Sequence, residues 1–233
     1  MTDRPTLILL PGLLCDDALW RHQIDHLGMV AEIVVPDLTS QDSIPAMADA
    51  VLAAAPSRFA LAGLSMGGYV ALEIMRRGGE RVERLALLDT AARDADPTRN
   101  DQRRLLMDQV RHGQFKGVTR SYVENFLHPD HLADALLVSD VLAMTERVGR
   151  EAFLRQNQAI IDRAPALGLL GKIACPTLVL CGRQDETTPL ASSAELAHGI
   201  PGAHLVVIEE CGHLSTMERP QAVTALLSYW LQR

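Results

Sequence analysis

The chain of 233 residues carries only four cysteines, and aromatic residues make up just 4% of it. Cys15, Cys175, Cys181 and Cys211 are too scattered for zinc-ligand spacing and too few to staple a chain of this length, so they read as reduced thiols. Cys181 and Cys211, at the ends of neighbouring predicted strands, are the one pair to consider for a bridge, and a reducing compartment disfavours it. There is no basic run. With a formal charge of −7 and a pI near 5.6, electrostatic attraction to nucleic acid or anionic lipid is excluded. No apolar stretch reaches the ~18 to 20 residues that span a bilayer, and the first residues, Met1 to Pro5, lead into a strand without a signal-peptide core. The expectation is a cytoplasmic protein, a monomer or weak homodimer, with a small molecule as its partner.

What is present is alternation. Short apolar runs at Thr6 to Leu10, Glu32 to Val35, Phe59 to Leu64, Val82 to Leu88, Thr177 to Cys181 and His204 to Ile208 read as strands. Helical patterns lie between them, at Asp17 to Leu27, Ser43 to Ala55, Met66 to Gly78, Leu190 to His198 and Pro220 to Leu231. This order predicts a three-layer α/β/α domain with a parallel sheet of about six strands, and right-handed crossovers put the loops after the strands on one edge. Between Asp89 and Pro176 the strand signal stops. Helical spacing takes over in Leu105-Leu106 with Val110, Tyr122 with Phe126, Leu136 with Leu142, and Phe153 with Ile160. We read residues 93–165 as a helical cap inserted before the acid-bearing strand, and 1–92 with 166–233 as the core. Arg103, Arg104, Glu124, Asp140, Glu146, Arg147 and Arg155 are expected on the solvated faces of the cap.

The stretch Gly63-Leu64-Ser65-Met66-Gly67-Gly68 lies between a predicted strand and a predicted helix. A serine there sits on a sharp, strained turn, and small residues two before and two after it let the chain pass. Ser65 is thus the candidate nucleophile. A serine hydroxyl needs a base, and the base needs an acid to orient it. His213, in the loop Glu209-Glu210-Cys211-Gly212-His213, is the histidine that follows a strand at the correct edge, with Gly212 leaving the loop free to turn. Asp185 follows the preceding strand and is the preferred acid. Asp89, after the strand ending Leu87-Leu88, is the alternative acid, a helix cap or a polar group of the pocket, and Glu186 is a third option. Two backbone N–H groups must also receive the developing oxyanion. Met66, next after the serine, and Leu13, in the glycine turn Pro11-Gly12-Leu13-Leu14, occupy the positions for them.

These residues, in the order Pro11-Gly12, Gly63 to Gly68, Asp185 with Pro189, then Gly212-His213 with Glu218 and Pro220, resemble the α/β-hydrolase fold superfamily over nearly the whole chain. Within it the chain is similar to the compact, capped branch of carboxylesterases, thioesterases and carbon–carbon hydrolases. The resemblance implies a Ser65-His213-Asp185 triad, an oxyanion hole at Leu13 and Met66, a small-molecule acyl substrate and no cofactor. Many relatives have His-Gly where this chain has Pro11-Gly12, and the chain starts at what is usually the third strand. Ester or thioester hydrolysis is the leading expectation. A carbon–carbon hydrolase or lyase with serine as base is the alternative, and a non-catalytic receptor would lack a triad member, none of which is missing.

Leu14, Tyr122, Phe126, Met144 and Phe153 are expected to line the substrate pocket, with Met107 and Phe115 near it. The pairs His22 with His26 and His128 with His131 have the spacing of a two-ligand metal clip, but polar neighbours and Pro129 favour a solvated face and a helix break. No metal is expected. A dinucleotide or phosphate loop is excluded, because Ser65 stands where a second glycine is needed and no Gly-Lys-Ser or Gly-Lys-Thr follows. Cys15 and Cys211, on either side of the presumed site, read as small apolar filler in preference to reactive thiols.

Overall fold

A computed structural model describes residues 4–94, 96–113 and 118–232. Phe115 lies outside them. Six strands, β1 (Thr6–Leu10), β2 (Glu32–Val34), β3 (Phe59–Leu64), β4 (Val82–Leu88), β5 (Thr177–Gly182) and β6 (His204–Ile208), form one sheet in the order β2-β1-β3-β4-β5-β6, every pair parallel. Alternation along each strand sends successive side chains to opposite faces. Leu7, Leu9, Ala60, Ala62 and Leu64 share one buried cluster with Trp20, Leu27, Leu227 and Trp230, from α1 (Arg21–Leu27), the turn before it, and α10 (Pro220–Leu231). Ile8, Leu10, Leu61, Leu85, Leu87 and Val179 share the other with α2 (Ile44–Ala54), α3 (Met66–Gly78) and α8 (Leu190–Gly199). Burial on both faces is why these strands read as continuous apolar runs.

The predicted helix at Asp17 to Leu27 divides into a 3-10 turn, Asp17–Trp20, and α1. Ala18, Leu19 and Trp20 are all buried. Between β4 and β5 the chain forms α4 (Pro97–His112), α5 (Arg120–Val123), a 3-10 turn at Pro129–Ala133, α6 (Ala135–Ile161) and α7 (Leu167–Leu170). The excursion leaves and rejoins the core at one point, where the Ala166 N–H donates to the Ala92 carbonyl at 2.7 Å. Asp96 caps α4 through the N–H groups of Thr98 and Arg99, and Asp134 caps α6 through those of Leu136 and Leu137. Two apolar patterns of the sequence, Leu136 with Leu142 and Phe153 with Ile160, fall on the single element α6, which kinks at Gly149, where φ is +81°.

Leu105 and Leu136 correct the sequence pattern: both are exposed, while Met107, Val110, Val138 and Val141 carry the buried faces. Of the charged residues expected on solvated faces, Arg104, Glu124, Asp140, Glu146 and Arg147 are exposed, and Arg103 and Arg155 are half-buried. Arg147 binds Asp16 at 2.9 Å, Arg155 donates to the Thr39 carbonyl at 2.8 Å, and Arg21 reaches Asp140 at 3.3 Å. These contacts join the helical segment between β4 and β5 to the loops after β1 and β2 and to α1.

Candidate active site

Ser65 sits between β3 and α3 with φ 55° and ψ −115°, a conformation that costs a non-glycine residue of order 1–3 kcal/mol and needs a surrounding framework to hold it. The framework is visible. The Ser65 N–H donates to the Leu88 carbonyl at 3.0 Å, and the Ser65 carbonyl accepts from Thr90 Oγ1 at 2.8 Å and from Gly68 N at 2.9 Å. The glycines on either side are required for space. A Cβ at Gly63 would overlap the Gly67 carbonyl, and one at Gly67 would overlap the Leu10 carbonyl. Sequence spacing therefore located both a strained turn and its close-packed flanks.

His213 Nε2 lies 2.9 Å from Ser65 Oγ, and His213 Nδ1 lies 2.8 Å from Asp185 Oδ2. Asp185 is fixed in turn: Oδ1 accepts the N–H groups of Thr187 and Thr188, both at 2.8 Å, and Oδ2 accepts the Thr188 hydroxyl at 2.7 Å. Because a carboxylate only accepts, Nδ1 carries the proton in the neutral ring and Nε2 is left to accept from serine. Burial alone would pull the His213 pKa down. The charge and hydrogen bond of Asp185, with the charges of Asp89 and Glu218, outweigh it, and the imidazole is raised above its ordinary value. Burial pushes the Asp185 carboxyl up, but the His213 charge, its hydrogen bond and those of Thr188 bring it below the usual range.

Asp89 does not reach the imidazole by any hydrogen bond. It is fully buried, with Oδ1 accepting from the Gly182 N–H at 2.9 Å and Oδ2 paired closely with Ser215 Oγ. Burial and then the charge of Asp185 push its carboxyl up, against the smaller lowering effects of His213, Ser215 and Gly182. It is not the helix cap either, since Asp96 caps α4. Asp89 joins β4, β5 and the segment after His213. Glu186 is exposed, and its carbonyl accepts from Arg99.

The Leu13 and Met66 N–H groups have no acceptor among the described residues. The loop that carries Leu13 is held from α6. Leu14, with φ 57°, donates its N–H to Gln156 Oε1 at 2.9 Å, and Gln156 Nε2 donates to the Leu38 carbonyl at 3.1 Å. Leu14, Tyr122, Phe126 and Met144 line a cavity over Ser65, together with Val118, Val141, Thr145, Cys15 and Leu214. Its free volume is about 40 Å³, above the ~10–15 Å³ minimum that holds one water. Phe153 corrects the expected lining: it is buried between α4 and α6 with Met107, Val110 and Leu14 and does not face this cavity. Val141 and Thr145 escaped the sequence reading, although Val141 stands one turn before both Met144 and Thr145 on one helix face.

The remaining candidates have other occupations. All four cysteines are free. Burial pushes the Cys15 thiol up to about 12 and the Cys211 thiol higher still, so neither supplies a thiolate. The rings of His22 and His26 stack, with His22 Nδ1 on Thr224 and His26 Nδ1 on the His22 carbonyl. His128 caps the turn that follows it, and His131 binds Glu218. No group of three or more metal-ligating side chains occurs among the described residues, and no helix among them is long and apolar enough to cross a membrane.

Sheet order, elbow and the residues gathered beyond the strand ends define a hydrolase of the α/β class. The chain belongs to the alpha/beta hydrolase family, whose model matches residues 7–226. Among its relatives is the pimeloyl-[acyl-carrier protein] methyl ester esterase of Neisseria meningitidis serogroup A, 31% identical over 189 residues that make up 78% of this chain and 60% of that one. A protein of Pantoea ananatis, named provisionally as a carbamate hydrolase, is 28% identical over 99% of this chain and 90% of its own. Of the solved structures, a thermophilic esterase from Thermogutta terrifontis with malate bound superposes with a TM-score of 0.91, at 27% identity, over 99% of this chain and 90% of that one.

Proposed function

We propose that this hydrolase cleaves a small ester, thioester or related acyl compound through a covalent intermediate on Ser65. The observation that carries the reading is the unbroken chain Asp185 Oδ2 to His213 Nδ1, 2.8 Å, and His213 Nε2 to Ser65 Oγ, 2.9 Å. In this mechanism Ser65 Oγ attacks the acyl carbon while its proton passes to His213 Nε2, and Asp185 stabilises the imidazolium. The tetrahedral oxyanion accepts from the Leu13 and Met66 N–H groups, each worth ~3 kcal/mol. The imidazolium gives its proton to the leaving alcohol or thiol. Water then attacks the acyl-enzyme, losing its proton to the same nitrogen, and Ser65 is released with the acid. The ester substrates of the esterase relatives support this chemistry.

The cap is proposed to exclude water and to set the acyl size. The narrow, largely apolar cavity favours a short acyl group, and longer ones require Tyr122, Phe126 or Met144 to move. A panel of acyl esters and thioesters of graded chain length, run on wild type and Ser65→Ala, tests both statements. Short acyl groups should turn over fastest, and Ser65→Ala should lose a factor of ~10⁴ or more. Undiminished turnover by the alanine variant overturns the mechanism.

A further inference from the structure

Glu218, the last residue of α9 (Ser215–Glu218), makes no contact with Ser65, and its side chain has no exposed surface. Oε1 accepts the N–H groups of Gly212 at 3.0 Å and Leu214 at 3.2 Å, the residues on either side of His213. Oε2 turns the other way, accepting the His128 N–H at 2.7 Å and meeting His131 Nδ1 at 2.8 Å, both in the cap. The His213 N–H between them donates to the Phe126 carbonyl at 2.6 Å. One carboxylate thus holds both flanks of the base and the cap turn opposite it. The approach is close enough that a Cβ on Gly212 would stand 2.5 Å from the Phe126 carbonyl oxygen.

We propose that Glu218 is a positioning residue for His213: it fixes the backbone that carries the imidazole and locks to it the cap segment bearing Phe126, a wall of the cavity. The inference rests on the serine-hydrolase reading above. A carboxylate serving only to close its own turn has no need of partners 87 and 90 residues earlier in the chain. Glu218 also acts through its charge. Asp185, Asp89 and Glu218 are the carboxylates that favour the imidazolium of His213. Facing Glu218 itself are His128 and His131 from the cap and the Cys211 thiol, while the adjacent Arg219 is engaged by Glu210. Glu218→Gln therefore makes two changes. Its single carbonyl oxygen can serve only one of the two sets of donors, turning an NH₂ group against the other, and a negative charge is removed.

The sign of the charge effect is fixed. His213 must be neutral to accept the serine proton, so reactivity rises with pH through its pKa, and losing a nearby negative charge moves that midpoint down. The test measures fluorophosphonate labelling of Ser65 across pH, with kcat and KM on a short acyl ester and the NMR signal of the His213 Nδ1 proton. Glu218→Gln should label more slowly by on the order of 10²-fold, the penalty of a small misplacement, with its midpoint at lower pH, its kcat reduced more than its KM is raised, and the proton signal shifted. Glu218→Asp keeps the charge and shortens the reach, so it should slow labelling while keeping the wild-type midpoint, and it carries the test if the glutamine variant fails to fold. Labelling of Glu218→Gln at the wild-type rate and midpoint overturns the proposal. So does a loss of kcat that tracks thermal stability with no change of midpoint or proton signal. Failure of wild-type Ser65 to label at all overturns the serine reading instead, and the proton signal still reports on Glu218.

Discussion

The backbone N–H of Leu14 and the side-chain oxygen of Gln156 lie 2.9 Å apart, although 142 residues separate them in the chain. A side chain of α6 therefore sets the peptide plane beside Leu13, a proposed oxyanion donor. Gln156→Leu should leave that N–H buried and unpaired, at ~1–3 kcal/mol. If even the middle of that range reaches the transition state, kcat falls about tenfold or more. Single-turnover acylation should show the loss in the chemical step, with KM little changed. An unchanged acylation rate would mean that the loop holds its shape without the cap.

Exchanging the two aspartates separates their roles. Asp185→Asn leaves His213 without its orienting carboxylate and should lower kcat by on the order of 10⁴, the effect of the wrong tautomer. Asp89→Asn, with no hydrogen bond to the imidazole, should cost kcat about tenfold at most. A larger loss at Asp89 would reverse the assignment of the acid.

Because the net effect on His213 is upward, the acid limb of kcat/KM should have its midpoint above the ordinary imidazole value of ~6.5. A pH profile on a neutral ester measures this directly. A midpoint below 6.5, itself only about an unperturbed imidazole, would show that burial outweighs the carboxylates.

Asp89, pushed up to about 8, makes a prediction for stability. Its unfolded carboxyl ionises near ~4, so the stabilisation is complete below that pH and is lost progressively as pH rises through about 8. Asp89→Asn removes this dependence and keeps a neutral amide facing Gly182 and Ser215. Thermal melts from pH 5 to 8 should show the Tm of the variant gaining steadily on wild type. A constant difference would mean that Asp89 is already ionised in the fold.

The strands and the helices of the core were legible because apolar runs bounded by turn residues leave little choice when both faces of a sheet are buried. Ser65 was legible because only small residues satisfy the packing at Gly63 and Gly67. Gly212 was visible in the sequence but for another reason. It was read as freedom for the loop to turn, and its main service is room for the backbone of Phe126 and His128. Phe153 misled for a related reason. Helical spacing says that a side chain is buried or paired, not whether its neighbour belongs to the cavity, the cap or the core. Gln156 carries no local signal, since its partners Leu14 and Leu38 lie 142 and 118 residues away, and Glu218, part of the family pattern, gave no sign of its bond to His128 across 90 residues.

Ser65 and His213 stand 148 residues apart in sequence, the serine beyond a central strand and the base beyond the last one of the sheet. A chain in which only β1 to β4 had paired would already possess the strained elbow and its glycines, yet its hydroxyl would have neither base nor orienting acid. On the proposed mechanism the reactivity of Ser65 is in this sense a clock for assembly: it starts only when β5 and β6 have docked in register, and it separates the finished molecule from every compact precursor with the same secondary structure.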